Sequence, residues 1–103
     1  MKEKTFAIPL NDTHPSSVLS ERFGKTPYVA FFNGHTLQIL PNTPKSSNGF
    51  LQWCKRQGAT HLLLKEHGRI PCACKKDPSI ILCYPLTPNP TLQDAIRQYY
   101  QTP

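Results

Sequence analysis

Cys72 and Cys74 stand one residue apart, and His67 precedes Cys72 by five, so two thiols and an imidazole share one short segment. Thiolate and imidazole are soft donors that suit zinc, copper, iron–sulfur or molybdenum–sulfur centres, and the adjacent Lys75 and Lys76 favour the thiolate form. A Cys-x-Cys pair lacks the second ligand pair of standard zinc spacing, so a metal or cluster site and incidental loop cysteines both account for it. A second constellation is cationic: Arg22, Lys25, Arg69, Lys75 and Lys76 can hold an anion by charge and hydrogen bonds without coordinating it. Solvated surface is the alternative for each of these residues alone. Phe23 and Gly24, between Arg22 and Lys25, suit a shaped loop, with Phe23 anchored in the core and Gly24 allowing a close backbone approach.

Other reactive residues carry less. Cys54 and Cys83 fall in apolar runs, where cysteine acts as a small hydrophobe. His61 reads as a capping or edge residue, His14 as a solvated loop residue, and His35 follows a turn. The acids Glu3, Asp12, Glu21, Glu66, Asp77 and Asp94 form no pair placed for acid and base work, and there is no phosphate-binding glycine loop or nucleophile elbow. The expectation is a protein that is not an enzyme.

These residues must be positioned by a chain of 103 residues in all, enough for one hydrophobic core, so a single domain over 1–103 is expected. The 12 Lys and Arg against 6 Asp and Glu give a net charge of +6, which favours anionic partners. No stretch approaches the roughly 20 apolar residues of a membrane span, and the opening MKEKTFAIPL lacks the apolar core of a signal peptide. A cytoplasmic protein is expected, and in a reducing cytosol its four cysteines are thiols or metal ligands rather than disulfides.

TFAIPL at 5–10 reads as a buried first strand followed by a loop over 11–27. PYVAFFNG and HTLQILP, divided by Asn33-Gly34, predict an antiparallel hairpin. GFLQWCKRQG places Phe50, Leu51, Trp53, Cys54 and Gln57 on one helical stripe, with Ser46 or Ser47 as cap and Gly58 as terminator. THLLLKEHG and SIILCYP are the fourth and fifth strands, both nearly continuous apolar runs of the kind covered on two faces. TLQDAIRQYYQ closes the chain as a helix with Leu92, Ala95, Ile96 and Tyr99 on one side and a Thr91–Asp94 capping arrangement. Between strands four and five, residues 67–78 suit a short helical turn from Pro71, or a hairpin with an irregular loop.

The order AIPLND, SERFGKTPYVAFFN, RQGATHLLLKEHGRIP, IILCYP and TLQDAIRQYY resembles the dinitrogenase iron-molybdenum cofactor biosynthesis family over nearly the whole chain. The most specific parts are Ser20-Glu21-x-Phe23-Gly24-Lys25-x-Pro27-Tyr28 and Gly58-Ala59-Thr60-His61. The resemblance implies a three-layer ribonuclease-H-like α/β fold whose five-stranded mixed sheet has the order 3-2-1-4-5 with strand 2 antiparallel. It further implies binding, storage or delivery of metal–sulfur clusters containing iron or molybdenum. Ligands in open α/β sheets sit at the switch point beyond the carboxyl ends of the strands, here where the loops 11–27 and 66–78 meet. Many members carry His before the Phe-Gly pair, where this chain has Arg22, and a guanidinium does not ligate metal.

The sequence therefore points to a small carrier or scaffold for an anionic metal–sulfur cluster holding iron and/or molybdenum, with copper also suited to the donors. Cys72, Cys74 and His67 are the candidate metal ligands, and Arg22, Phe23, Gly24, Lys25 and Arg69 the candidate cofactor-binding residues. The alternatives are a cofactor-free domain that docks an acidic partner protein, and, more weakly, a nucleic-acid-binding module using the aromatic YVAFF run; no membrane partner is expected.

Overall fold

The structure is a computed structural model and describes residues 4–14, 16–20, 25–44, 47–65 and 79–102. Its central strand, β1 (Phe6–Leu10), is buried along its whole length and alternates between two cores. Phe6, Ile8 and Leu10 face one side of the sheet, Ala7 the other, as the two-residue period of a strand requires. β2 (Tyr28–Phe32) pairs antiparallel with β1, and β3 (Leu37–Pro41) antiparallel with β2. β4 (His61–Leu63) and β5 (Ile81–Cys83) extend the other side in parallel. The order is β3-β2-β1-β4-β5 with β2 antiparallel to the rest, as expected. A parallel β4–β5 ladder excludes the hairpin reading of the link between them. The turn proposed at Cys72 to Lys76 lies outside the described residues.

Helices cover the two faces. α1 (Ser47–Arg56) packs Phe50, Leu51 and Cys54 with Ala7, Val29, Phe31 and Leu62. Its end is a Schellman motif: Ala59 N–H donates to Cys54 O at 3.1 Å and Gly58 N–H to Lys55 O at 3.0 Å. Gly58 sits at φ +93°, a left-handed conformation open to glycine. Gln57, expected on the apolar stripe, is exposed, because the chain leaves the helix at this motif.

On the opposite face, α2 (Leu92–Gln101) packs Leu92, Ala95 and Tyr99 against Phe6, Ile8, Leu10, Ala30 and Phe32. The Thr91–Asp94 capping box forms as read: Asp94 N–H donates to Thr91 Oγ1 at 3.3 Å, and Thr91 N–H to Asp94 Oδ2 at 2.9 Å. The Thr91 backbone N–H, with its hydroxyl and Arg97, holds the Asp94 carboxyl below its ordinary pKa against the opposing effect of burial.

Three expectations need correction. β5 is an edge strand with Ile81 exposed, so its apolar run does not signify cover on two faces. His61 is neither cap nor edge but a buried residue of β4, its ring 5.4 Å from that of Phe6. The β2–β3 turn is also longer than the Asn-Gly pair: Asn33 Oδ1 accepts from the His35 and Thr36 N–H groups at 2.9 and 2.8 Å, and Gly34 takes φ +92°.

Candidate functional site

The switch point lies at the carboxyl ends of β1 and β4, and its geometry follows from one unusual residue. Pro9 stands in a central strand, where a missing N–H ordinarily breaks a ladder. β4 pairs with β1 only opposite Phe6 and Ala7, so at Pro9 the side of β1 away from β2 is free of it. The loop after β1 returns to fill that place. Ser20 N–H donates to Pro9 O at 2.9 Å, and Leu10 and Leu19 form an antiparallel bridge.

Residues 17–19 then connect to the start of α2. Leu19 N–H donates to Pro90 O at 3.0 Å, Leu92 N–H to Ser17 O at 3.0 Å, and Val18 bridges Thr91. Leu19 is buried in the α2-side core, which holds this plug in place by packing as well as by backbone bonds. Beyond it, 11–17 closes on itself: Asp12 N–H donates to Ser17 Oγ at 3.0 Å and Ser17 N–H to His14 O at 2.9 Å. Asp12 Oδ1 accepts from its neighbour Thr13 N–H at 2.7 Å.

The return limb of the loop is fastened at the next residue of β1. Thr26 is buried, and its hydroxyl lies 3.0 Å from both Leu10 O and Tyr28 O, to which it can donate its one proton. Asn42, just after β3, adds a bond from Nδ2 to Thr26 O at 2.9 Å and one from its backbone N–H to Pro27 O at 3.0 Å. The two limbs at Ser20 and Thr26 are thus tied to Pro9 and Leu10, consecutive residues of one strand.

Of the residues singled out from the sequence, the structure describes Lys25, Asp12 and His14, all exposed on this end of the sheet. Arg22, Phe23, Gly24, His67, Arg69, Cys72, Cys74, Lys75 and Lys76 lie outside the described residues. Among the described residues no group of three or more His, Cys, Asp or Glu is placed to hold a metal ion. Cys54 and Cys83 belong to opposite faces of the sheet and cannot share a metal or a disulfide. Burial pushes the Cys83 thiol up despite Lys4, so it stays protonated and a poor ligand. The rings of Phe31 and Phe32 are buried, so the YVAFF run offers no stacking platform for bases.

Sequence reasoning missed Thr26 and Ser17, and named Ser20 only as part of the motif; all three are polar residues buried where the loop is fastened. Their signal was only their position, flanking the Phe-Gly motif. It also missed a groove of about 210 Å³ between α2 and the chain after β5, floored by Leu63 and Ala95 with Leu86 and Arg97 at its sides. Asp94, the acid on that groove, is committed to the helix cap, and Arg97 lies 3.6 Å from it.

No family model and no curated protein matches the chain. Solved structures do. One is the NMR structure of a putative NifB protein of the DUF35 family from Thermotoga, with TM-score 0.71 and 19% identity over 95% of this chain and 88% of that one. Another is the apo form of the orange protein from Desulfovibrio gigas, with TM-score 0.75 and 16% identity over 95% and 88% of the two chains. At these identities the likeness is one of fold. Among the described residues no helix is long and apolar enough to cross a membrane.

Proposed function

We propose that the chain is a small non-enzymatic carrier or scaffold whose cargo is an anionic metal–sulfur cluster, of iron and/or molybdenum, held at the switch-point end of the sheet. The observation that carries this reading is the anchoring of the Phe-Gly loop: its limbs at Ser20 and Thr26 are bonded to Pro9 and Leu10, so residues 21–25 start and finish at the strand end where such sheets take ligands. Arg22 and Lys25, with Arg69, supply charge complementarity, while Cys72 and Cys74, with His67, supply the soft donors. The described cysteines and His61 are buried or half-buried in the cores, which is consistent with ligation from that second loop. Support comes from the sequence resemblance and from a fold shared with a putative NifB protein.

Elemental analysis of protein purified without oxygen or an affinity tag, beside the Cys72→Ser, Cys74→Ser double variant, tests the reading. Near-stoichiometric iron, molybdenum or copper, lost in the variant, is expected. Metal retained in the variant moves the ligands elsewhere. A colourless, metal-free protein that takes up neither iron with sulfide nor thiomolybdate overturns the carrier reading and leaves docking of an acidic partner protein.

A further inference from the structure

Among the described residues β3 forms one edge of the sheet, and the direction of its backbone groups can be read bond by bond. Asn33 N–H donates to Thr36 O at 3.4 Å at one end of the β2–β3 ladder, and Asn42 N–H to Pro27 O at 3.0 Å at the other. With Val29 opposite Leu40 and Phe31 opposite Gln38 in the same register, Gln38 and Leu40 turn their backbone groups towards β2. Leu37, Ile39 and Pro41 therefore turn theirs outward. Pro41 has no N–H to leave unpaired there, which is how proline is tolerated on an edge.

Natural edge strands carry charge, bulges or inward lysines that stop a second strand from pairing. This edge carries none of the charge. From Tyr28 to Pro44 the sequence has no Asp, Glu, Lys or Arg, although the chain as a whole is +6. Two copies approaching elsewhere bring like charges together, whereas this side is electrostatically neutral. The same edge is apolar. Leu37 is 42% exposed and Tyr100 66%, and both lie by Phe32: Leu37 as its cross-strand partner, Tyr100 with ring centroids 6.0 Å apart.

We propose that β3 is a self-association edge, at which a second copy of this chain pairs antiparallel about a two-fold axis through Ile39. In that register the two Ile39 residues exchange a pair of backbone bonds, and each Leu37 N–H donates to the partner's Pro41 O. The missing N–H of Pro41 then falls opposite a Leu37 carbonyl at the rim, open to water. Leu37 and Ile39 lie on the α2 side, beside Tyr100, so the joint adds apolar contact to the backbone bonds. The other edge, β5, offers three residues, fewer than such a joint needs.

Sedimentation equilibrium over a concentration series of the full chain tests this. A monomer–dimer equilibrium is expected, weakened at least about tenfold by Leu37→Lys, since an edge lysine opposes strand pairing. Register is tested by oxidation beside the parent chain. Ile39→Cys should give a disulfide-linked dimer, because Cα atoms of such a pair lie about 5.5 Å apart, and Leu37→Cys should give none beyond the parent's background. A chain monomeric at every concentration, including one that accepts only another protein's strand, overturns the proposal. So does a dimer indifferent to Leu37→Lys, or one that cross-links through Leu37→Cys and not through Ile39→Cys.

Discussion

At the end of the sheet where β1 begins, side chains do the fastening; where β1 finishes, the backbone does most of it. Lys4 Nζ donates to Tyr99 O at 2.6 Å and to Thr102 O, closing the last turn of α2, and its ammonium lies 4.3 Å from the centroid of the Tyr99 ring. The Tyr99 hydroxyl lies 2.8 Å from Lys4 O and 2.7 Å from Asn33 O, joining helix, strand and hairpin. Thr60 Oγ1 accepts from Thr5 N–H at 2.9 Å and lies 2.8 Å from His61 Nδ1. At the other end, the plug at 17–20 and its bonds to Pro9, Pro90 and Leu92 are main-chain. Side-chain fastening fixes particular residue types, whereas main-chain fastening leaves the outward side chains of a loop free to vary. The second end is therefore where the proposed recognition loop would be free to vary its side chains.

The largest expected effect breaks the first end by packing. Phe6→Ala removes a ring that is fully buried against His61 and Tyr99 and should cost about 3–5 kcal/mol by denaturant unfolding. A loss near that of a surface substitution would mean that the hydrogen bonds alone hold this end.

Next comes a pair of glycines with the same φ and different surroundings. A Cβ at Gly58 meets nothing within 4 Å, so Gly58→Ala should cost only the left-handed strain of about 1–2 kcal/mol. At Gly34 the added carbon lies 3.1 Å from Tyr99, so Gly34→Ala should cost about 1–3 kcal/mol beyond that strain. Equal midpoint shifts for the two variants would show that Tyr99 moves aside freely.

Thr26→Val sharpens the comparison from the other end. It keeps the shape and removes the hydroxyl shared by Leu10 O and Tyr28 O, at about 1–3 kcal/mol. Hydrogen exchange should rise in 17–20 if the two limbs act together, and stay unchanged if the plug stands alone.

The smallest effect separates the ends by pH. Burial, with Lys4 adding to it, holds the His61 imidazole below its ordinary 6.5. The unfolded chain therefore binds the extra proton first, and the stability from neutral His61 is full above about 6.5 and lost as pH falls towards the lower folded value. Asp94, whose pKa is also lowered, acts in the same sense in a more acidic window: its contribution is full above its unfolded value near 3.8 and lost as pH falls through the lower folded one. Unfolding midpoints should decline mildly below neutrality in the parent and less in His61→Gln, with the α2 cap failing only in the carboxylate range. An unchanged midpoint between pH 7.5 and 5.5 would remove His61 from this account.

Local signals carried most of the fold. The Asn33-Gly34 turn, the Gly58 terminator and the Thr91–Asp94 box each act within a few residues, and each is found where the sequence put it. The strand order rested on the family resemblance, and the sheet shows it. What failed was long-range. SIILCYP reads as a covered strand because its composition does not say whether it lies at an edge. Lys4 gave no signal in the sequence because its acceptors stand 95 and 98 residues away. Thr26 passed as loop because its partner Leu10 belongs to another strand. At the candidate site the sequence named residue types, and the structure places the limbs of the first loop and its Lys25.

The Lys4 latch has a consequence for how the chain folds. It closes a loop of nearly the full length of the polypeptide, so most of the sequence must be in hand before its bonds can form. The central strand waits in the same way, since β1 needs β4, and Thr60, just before β4, is 55 residues from its partner Thr5. The β2–β3 hairpin and α1 can organise early from neighbouring residues, but the latch joins residues 95 and 98 positions apart. The clasp is therefore among the last contacts to form, after the central strand has found its neighbours.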